Sequence, residues 1–164
     1  MTAPFRIEVL GPTHDRVDFQ CGTPALDHYL SRQASQDMRR RVSACYVAVD
    51  GNGKLAGYYT LAAGGVPLVD LPEALTKRLP RYPSVPVARL GRLAVALAFQ
   101  GAKLGGALLA DAALRAARSE MAVVALVVDA KDEAAVAFYR HHGFQSFGDN
   151  TKQLVVSLKH FVKE

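Results

Sequence analysis

Apolar and polar positions along this chain change period several times, and each change marks an element. Phe5-Arg-Ile-Glu-Val-Leu10 reads as a short strand stopped by Gly11-Pro12. Thr23-Pro24 has the form of a helix N-cap with proline at the first helical position. That helix is expected to run through Leu26, Tyr29, Leu30 and Ala34 to the arginines at 39–41. Val42 to Val49 and Lys54 to Ala63 are β-rich runs joined by Asp50-Gly-Asn-Gly53, a strong hairpin signal. Residues 66–86 hold five of the eight prolines, with one helical turn expected around Glu73–Leu79. This segment is the natural place for an insertion or a substrate-facing excursion.

A strand from Val85 to about Leu97 and a helix from about Leu104 to Arg118 follow. Gly105, Leu108, Leu109, Ala112 and Ala116 share one face of that helix, while Asp111, Arg115 and Arg118 lie on the other. Val123 to Val128 is apolar without alternation, as expected of a strand covered on both faces. Glu133 to His142 predicts a short helix closed by Gly143, and Gln153 to Leu158 a last strand. Strands and helices mixed in this order imply an α/β sheet sandwich. No repeat or linker divides it, so a single domain over residues 1–164 is expected.

Composition narrows the class. Half the residues are hydrophobic and 21% are charged, an ordinary balance for a soluble globular protein. No apolar stretch reaches the roughly 18 residues of a membrane span, and the N-terminus lacks the apolar core of a signal peptide. Cys21 and Cys45 show no metal-ligand spacing and read as free thiols of a reducing cytoplasm. The formal charge of +5 is gathered into short groups: Arg39–Arg41, Lys77-Arg78 with Arg81, and Arg89 with Arg92. Such groups meet polyanions, coenzyme A and nucleic acid among them, and equally serve as solvated surface.

Gln100-Gly-Ala-Lys-Leu-Gly-Gly106 sits between the strand and the amphipathic helix. A helix start there presents unpaired amides and a positive dipole end to a phosphate. The run has neither the lysine-serine/threonine ending of a P-loop nor the three-glycine spacing of a dinucleotide fold, and by itself it reads equally as helix capping.

Arg89-Leu-Gly-Arg-Leu-Ala-Val95, Gln100 to Gly106 and Ala137-Phe-Tyr139 together resemble the GNAT superfamily of acetyl-CoA-dependent N-acetyltransferases. The resemblance implies the GNAT fold, a mixed, mostly antiparallel twisted sheet flanked by helices, with acetyl-CoA as cofactor. The family's pyrophosphate loop reads Arg/Gln-x-x-Gly-x-Gly/Ala. Gln100 and Gly105 match it, Gly101 and Ala102 fill it, and Lys103 replaces its first glycine. That lysine must point away from the phosphates or present its ammonium to them. The donors implied are the amides of Lys103, Leu104, Gly105 and Gly106. Leu93, Ala94 and Val95 match the segment whose backbone pairs with the pantetheine arm.

Transfer of an acetyl group to nitrogen needs a neutral amine, an oriented thioester and a proton for the departing thiolate. Tyr139, in the family's Phe-Tyr position, is the implied proton donor. A phenol near 10 and a thiol near 8.5 make that step uphill by about 2 kcal/mol in water. The strand Val87–Leu97 carries no acidic residue, whereas many lysine-directed relatives place a glutamate there as general base. A lysine amine is neutral less than about 0.1% of the time at pH 7, an α-amine roughly 10%. An α-amine acceptor could therefore do without a strong base. Asp129, Asp132, Glu133, His141 and His142 are alternative bases or relays, and each also reads as a solvated helix start or end.

From about His14 onward the chain resembles a narrower group, the acetyltransferase toxins of bacterial toxin–antitoxin modules. Phe19-Gln-Cys-Gly22, Leu26-Asp27, Tyr29-Leu30, Gly57-Tyr-Tyr-Thr-Leu61, Val128-Asp-Ala130 and Phe138-Tyr139 carry it. This implies acetylation of the α-amino group of aminoacyl-tRNA, a block of translation, a homodimer, and neutralisation by a ribbon-helix-helix antitoxin, through which alone DNA is met. Arg89 and Arg92 are the first candidates to track tRNA phosphates, with Arg40, Lys77, Arg78 and Arg81 behind them. Residues three apart on a regular strand face opposite sides, so Arg89 and Arg92 cannot both line one face without a bulge. Two other readings stay open: an enzyme for a small amine or a protein N-terminus, and a catalytically weak acetyl-CoA-binding regulatory module.

Overall fold

The computed structural model describes residues 5–161. Its strands are β1 (Arg6–Val9), β2 (Ala44–Val49), β3 (Leu55–Pro67), β4 (Ser84–Val95), β5 (Ala125–Asp129), β6 (Gln145–Phe147) and β7 (Asn150–Ser157). Its helices are α1 (Pro24–Arg32), α2 (Ala34–Arg39), α3 (Glu73–Thr76), α4 (Leu104–Ala117) and α5 (Glu133–His141). The strand order is β1-β2-β3-β4-β5-β7-β6. β4 and β5 pair in parallel, while β1 with β2, β2 with β3, β5 with β7 and β6 with β7 are antiparallel. The expected mixed, mostly antiparallel sheet is therefore present. Among the described residues no helix is long and apolar enough to cross a membrane.

The chain gathers into two compact units: residues up to Ala62 with Gly91–Ala112, and Ala63–Leu90 with residues from Ala113 on. β3, β4 and α4 each contribute residues to both. The first unit is built around Tyr58, which no solvent reaches. Its ring meets Phe19 edge-on at 5.6 Å and stacks over Tyr29 at 6.4 Å, and its hydroxyl donates to the Leu26 carbonyl at 2.7 Å. A buried phenol so satisfied keeps its apolar contacts without leaving a polar atom stranded. The β2–β3 turn forms as its residues predict. The Asp50 carboxylate accepts the backbone N–H of Asn52 and of Lys54 at 2.9 and 2.8 Å.

Two expectations for this unit need correction. The predicted helix to residues 39–41 is two helices, broken at Gln33 (φ −124°, ψ −29°) and ended at Arg39. The reason is a competing donor: the Arg16 guanidinium takes the Leu30 carbonyl at 3.2 Å and the Ser35 hydroxyl at 2.7 Å. That carbonyl would accept from Ala34 in a continuous helix. Thr23 precedes the helix in an extended conformation, but its side chain makes no cap bond.

The second unit buries Val66, Val85, Val87, Ala125, Val127, Phe147 and Val155 together. β5 is covered on both faces as its composition requires, though it begins at Ala125 rather than Val123. β3 extends beyond the expected Ala63 to Pro67, and β6, three residues without alternation, escapes the sequence pattern.

Gly57 on β3 fixes how closely β4 approaches. A Cβ there would lie 2.8 Å from the Ala94 carbonyl oxygen and 2.9 Å from a Leu108 methyl carbon. Gly57→Ala is expected to cost about 1–3 kcal/mol through this overpacking, read by denaturant unfolding. A variant as stable as the parent would show that β4 yields without cost.

Candidate active site

The site is best built from the end of β4. Val95 closes the strand, a 3-10 turn spans Leu97–Phe99, and α4 opens at Leu104. Gln100 ties this passage down. Its side-chain amide donates to the Val95 carbonyl at 3.0 Å and the Cys21 carbonyl at 3.1 Å. Gln100 thus acts through its side chain as a strut. Gly101 follows at φ +87°, and Lys103 turns at φ +63°, a left-handed conformation that a family glycine would adopt at less cost.

The first α-helical bond of α4 runs from the Ala107 N–H to the Lys103 carbonyl. The amides of Leu104, Gly105 and Gly106 lie ahead of it and have no acceptor within the helix. They sit at the positive end of a 14-residue helix, with the exposed Lys103 beside them and no acidic residue in the first turn. This donor set fits a diphosphate.

β4 leads into the loop with a divided backbone. The Ala94 carbonyl faces Gly57, and the Ala96 N–H reaches the Ala56 carbonyl at 2.8 Å. Pairing with β5 covers Ala88–Leu90 alone. In an extended strand alternate residues turn their polar groups to opposite edges, so Leu93 and Val95 turn theirs away from β3. Both are half-buried, and Ala94 is buried. These backbone groups fit the role of pairing with an extended polar arm.

Tyr139 belongs to the second unit. α5 starts where the Asp132 carboxylate caps the Ala135 N–H at 2.8 Å and stops where Gly143 turns left-handed. Tyr139 is 8% exposed, its ring packed against Phe138 at 5.3 Å and Phe144 at 5.5 Å. Burial pushes the phenol up to about 12, so it carries its proton throughout the physiological range.

The other candidates separate by environment. Asp132 is a helix cap, and Asp129 lies 3.6 Å from Arg89. Glu133 is exposed. His141 and His142 are exposed and pack ring to ring at 5.1 Å, with His142 also against Phe138 at 4.7 Å. Burial, and then the neighbouring His141, lower the His142 pKa and keep that ring neutral.

Arg92 lies over Tyr29, its guanidinium carbon 3.6 Å from the ring centre, and the Tyr29 hydroxyl donates to Asp37 at 2.8 Å. Its guanidinium face is therefore engaged within the first unit. Lys77, Arg78, Arg81 and Arg40 are exposed. The Gln100 strut and the Arg92–Tyr29–Asp37 chain have no signature in spacing. The Asp132 cap was legible as an aspartate just ahead of a helical run.

Helix-start amides behind a strand suit a phosphorylated ligand, and a desolvated phenol can hold a proton. The chain belongs to the acetyltransferase (GNAT) family, whose sequence model matches residues 13–144. It is 34% identical over 160 residues to a tRNA-acetylating toxin of Mycobacterium tuberculosis, covering 96% of this chain and 93% of that protein. It is 30% identical over 150 residues to a "Probable toxin TacT" of Sinorhizobium fredii, covering 85% and 83%. Among solved structures, AtaT complexed with acetyl-methionyl-tRNAfMet superposes with a TM-score of 0.88 at 29% identity, covering 95% of this chain and 96% of that one.

Relief of the left-handed lysine is a direct test of the loop. Lys103→Gly is expected to raise the melting temperature by about 2–4 °C, corresponding to about 1 kcal/mol. A lowered melting temperature would show that the lysine side chain contributes contacts outweighing its backbone strain.

Proposed function

We propose that this chain transfers the acetyl group of acetyl-CoA to the α-amino group of aminoacyl-tRNA and so acts as a toxin that blocks translation. The observation that carries it is the match to a tRNA-acetylating toxin over nearly the whole of both chains. The α4 start supports it. Structural neighbours were solved with the same ligands: AtaTR with AcCoA, and AtaT with acetyl-methionyl-tRNAfMet.

The amides of Lys103–Gly106 hold the pyrophosphate, and the backbone groups of Leu93 and Val95, on either side of the β3-facing Ala94, hold the pantetheine arm. When bound, acetyl-CoA supplies an activated acetyl thioester. The absence of a carboxylate on β4 suits an acceptor whose amine is already neutral in a useful fraction. Tyr139 Oη holds the proton that the departing sulfur needs. At about 12 it would give that proton to a thiolate in water only uphill, by about 5 kcal/mol. The same dryness raises the basicity of a thiolate and narrows the gap.

Arg40, Lys77, Arg78 and Arg81 track tRNA phosphates, with Arg89 contributing beyond its pair with Asp129. Arg92 works through Tyr29. The protein acts as a homodimer in the cytoplasm, where its substrate is. An antitoxin neutralises it: neighbours include AtaT bound to the C-terminus of the antitoxin AtaR and a KacTA–DNA complex. A ribbon-helix-helix antitoxin fits such a DNA-bound assembly.

Labelled acetyl-CoA incubated with charged tRNA, deacylated tRNA, polyamines and lysine peptides tests this. Label is expected on charged tRNA alone, with Tyr139→Phe slowing transfer about a hundredfold or more. Label on a polyamine or peptide instead would replace the acceptor assignment, and binding of acetyl-CoA without transfer would point to a regulatory module.

The raised phenol also sets the pH profile. Turnover should climb as the acceptor amine loses its proton near about pH 8, then stay level to at least about pH 10.5, because the donor keeps its acid form until about 12. Initial rates falling between about pH 9 and 10 would show a donor with an ordinary phenol pKa.

A further inference from the structure

The proline-punctuated segment between β3 and β4 lines an open pocket of about 440 Å³ that neither the proposed cofactor site nor Tyr139 uses. Its frame is set by one backbone bond, from the Leu68 N–H to the Pro83 carbonyl at 3.0 Å. Val69 and Tyr82 stand one residue outside that bond, one on each side, and both line the cavity. They are 89% and 65% exposed, while Leu68 and Leu71 behind them are buried. A large aromatic and a branched apolar side chain held open to water on one frame form an apolar surface that a flat ring can cover. Besides Tyr82, three polar side chains share the lining, Glu73, Thr76 and Arg81, and the chain runs on from α3 to Lys77 and Arg78.

We infer that this cavity takes one unpaired nucleotide of the RNA substrate, its base against Tyr82 and Val69 and its flanking phosphates on Arg81, Lys77 and Arg78. The inference rests on the tRNA reading and gives that reading a contact site. The charges favour a nucleotide over an apolar or acidic peptide. A base is a flat uncharged ring with anions on either side of it, which matches an apolar slot with Arg81 on its lining and Lys77 and Arg78 exposed just past the end of α3. Every base offers a π-face, so stacking tolerates sequence. Glu73 accepts hydrogen bonds only and thus favours bases with an exocyclic amino group. Pro83 and the Leu68–Pro83 bond hold the slot before binding, which lowers the ordering cost.

Filter binding of the whole protein to oligoadenylate, oligouridylate and a blunt RNA duplex of equal length, between about 50 and 200 mM salt, tests it. Oligoadenylate should bind more tightly than either of the others. Tyr82→Ala should weaken it about tenfold with the salt slope unchanged, Tyr82→Phe should retain it, and Arg81→Ala should lower the slope by about one. Glu73→Gln should erase the preference over oligouridylate. Tyr82→Ala binding as the parent does, Tyr82→Phe as weak as Tyr82→Ala, or an acidic peptide displacing no worse than RNA would each overturn the site. Melting temperatures report whether each variant is folded.

Acetylation of charged tRNA, assayed in parallel, separates this inference from the reading beneath it. A parent that acetylates charged tRNA, with KM unmoved by Tyr82→Ala, removes the slot and leaves the function standing. A parent that acetylates no charged tRNA yet binds oligoadenylate through Tyr82 removes the function and leaves the slot.

Discussion

A parallel pair of strands cannot be joined by a tight turn, and this constraint shapes the site. β4 and β5 run parallel, so the chain between Val95 and Ala125 must cross over, and it does so through α4. The crossover places a helix start immediately after a strand end. Its first amides then have no acceptor of their own, and the loop keeps them presented: Gln100 straps the strand end to Cys21, while Gly101 and Lys103 turn left-handed. The phosphate-binding capacity is thus a by-product of topology made specific by three residues. Lys103 accepts strain that glycine would avoid.

A second principle governs Tyr139, the proposed proton donor: dryness rather than charge tunes its phenol. No charged partner contributes to the shift of Tyr139, whose phenol is raised by burial alone. Phe138 and Phe144 pack about it. The basic groups are proposed for a different task, the holding of a polyanion, and most are exposed, as contact with a phosphate backbone requires. Arg92 is the instructive exception, lying over Tyr29, whose hydroxyl is tied in turn to Asp37. A strand arginine that reads as a nucleic-acid contact is here an internal brace.

Legibility in the sequence tracked how local the determining interaction was. The α4 helix, the Asp50 turn and the closing Gly143 depend on residues a few positions apart, and all lie where their patterns place them. The break at Gln33 depends on Arg16, which is remote along the chain and takes a carbonyl that helix propensity cannot protect. Asp111 reads as a solvent-facing residue of α4, yet it accepts the Tyr59 hydroxyl at 2.5 Å. Likewise Asp129 and Asp132, alternatives for a base, are an ion-pair partner and a helix cap.

By itself the sequence determined the family, the alternation of strands and helices and the loop that opens α4. These rest on periodicity, turn residues and blocks of side chains in fixed order. Tertiary structure decided what each polar side chain is doing. Gln100 is a strut, Arg92 a cover for Tyr29, and Tyr82 and Val69 the exposed lips of a slot. The physical reason is common to all of them. A side chain's hydrogen bond, stack or exposure is set by whatever segment folds against it, and that neighbour is distant in sequence and invisible to any local pattern.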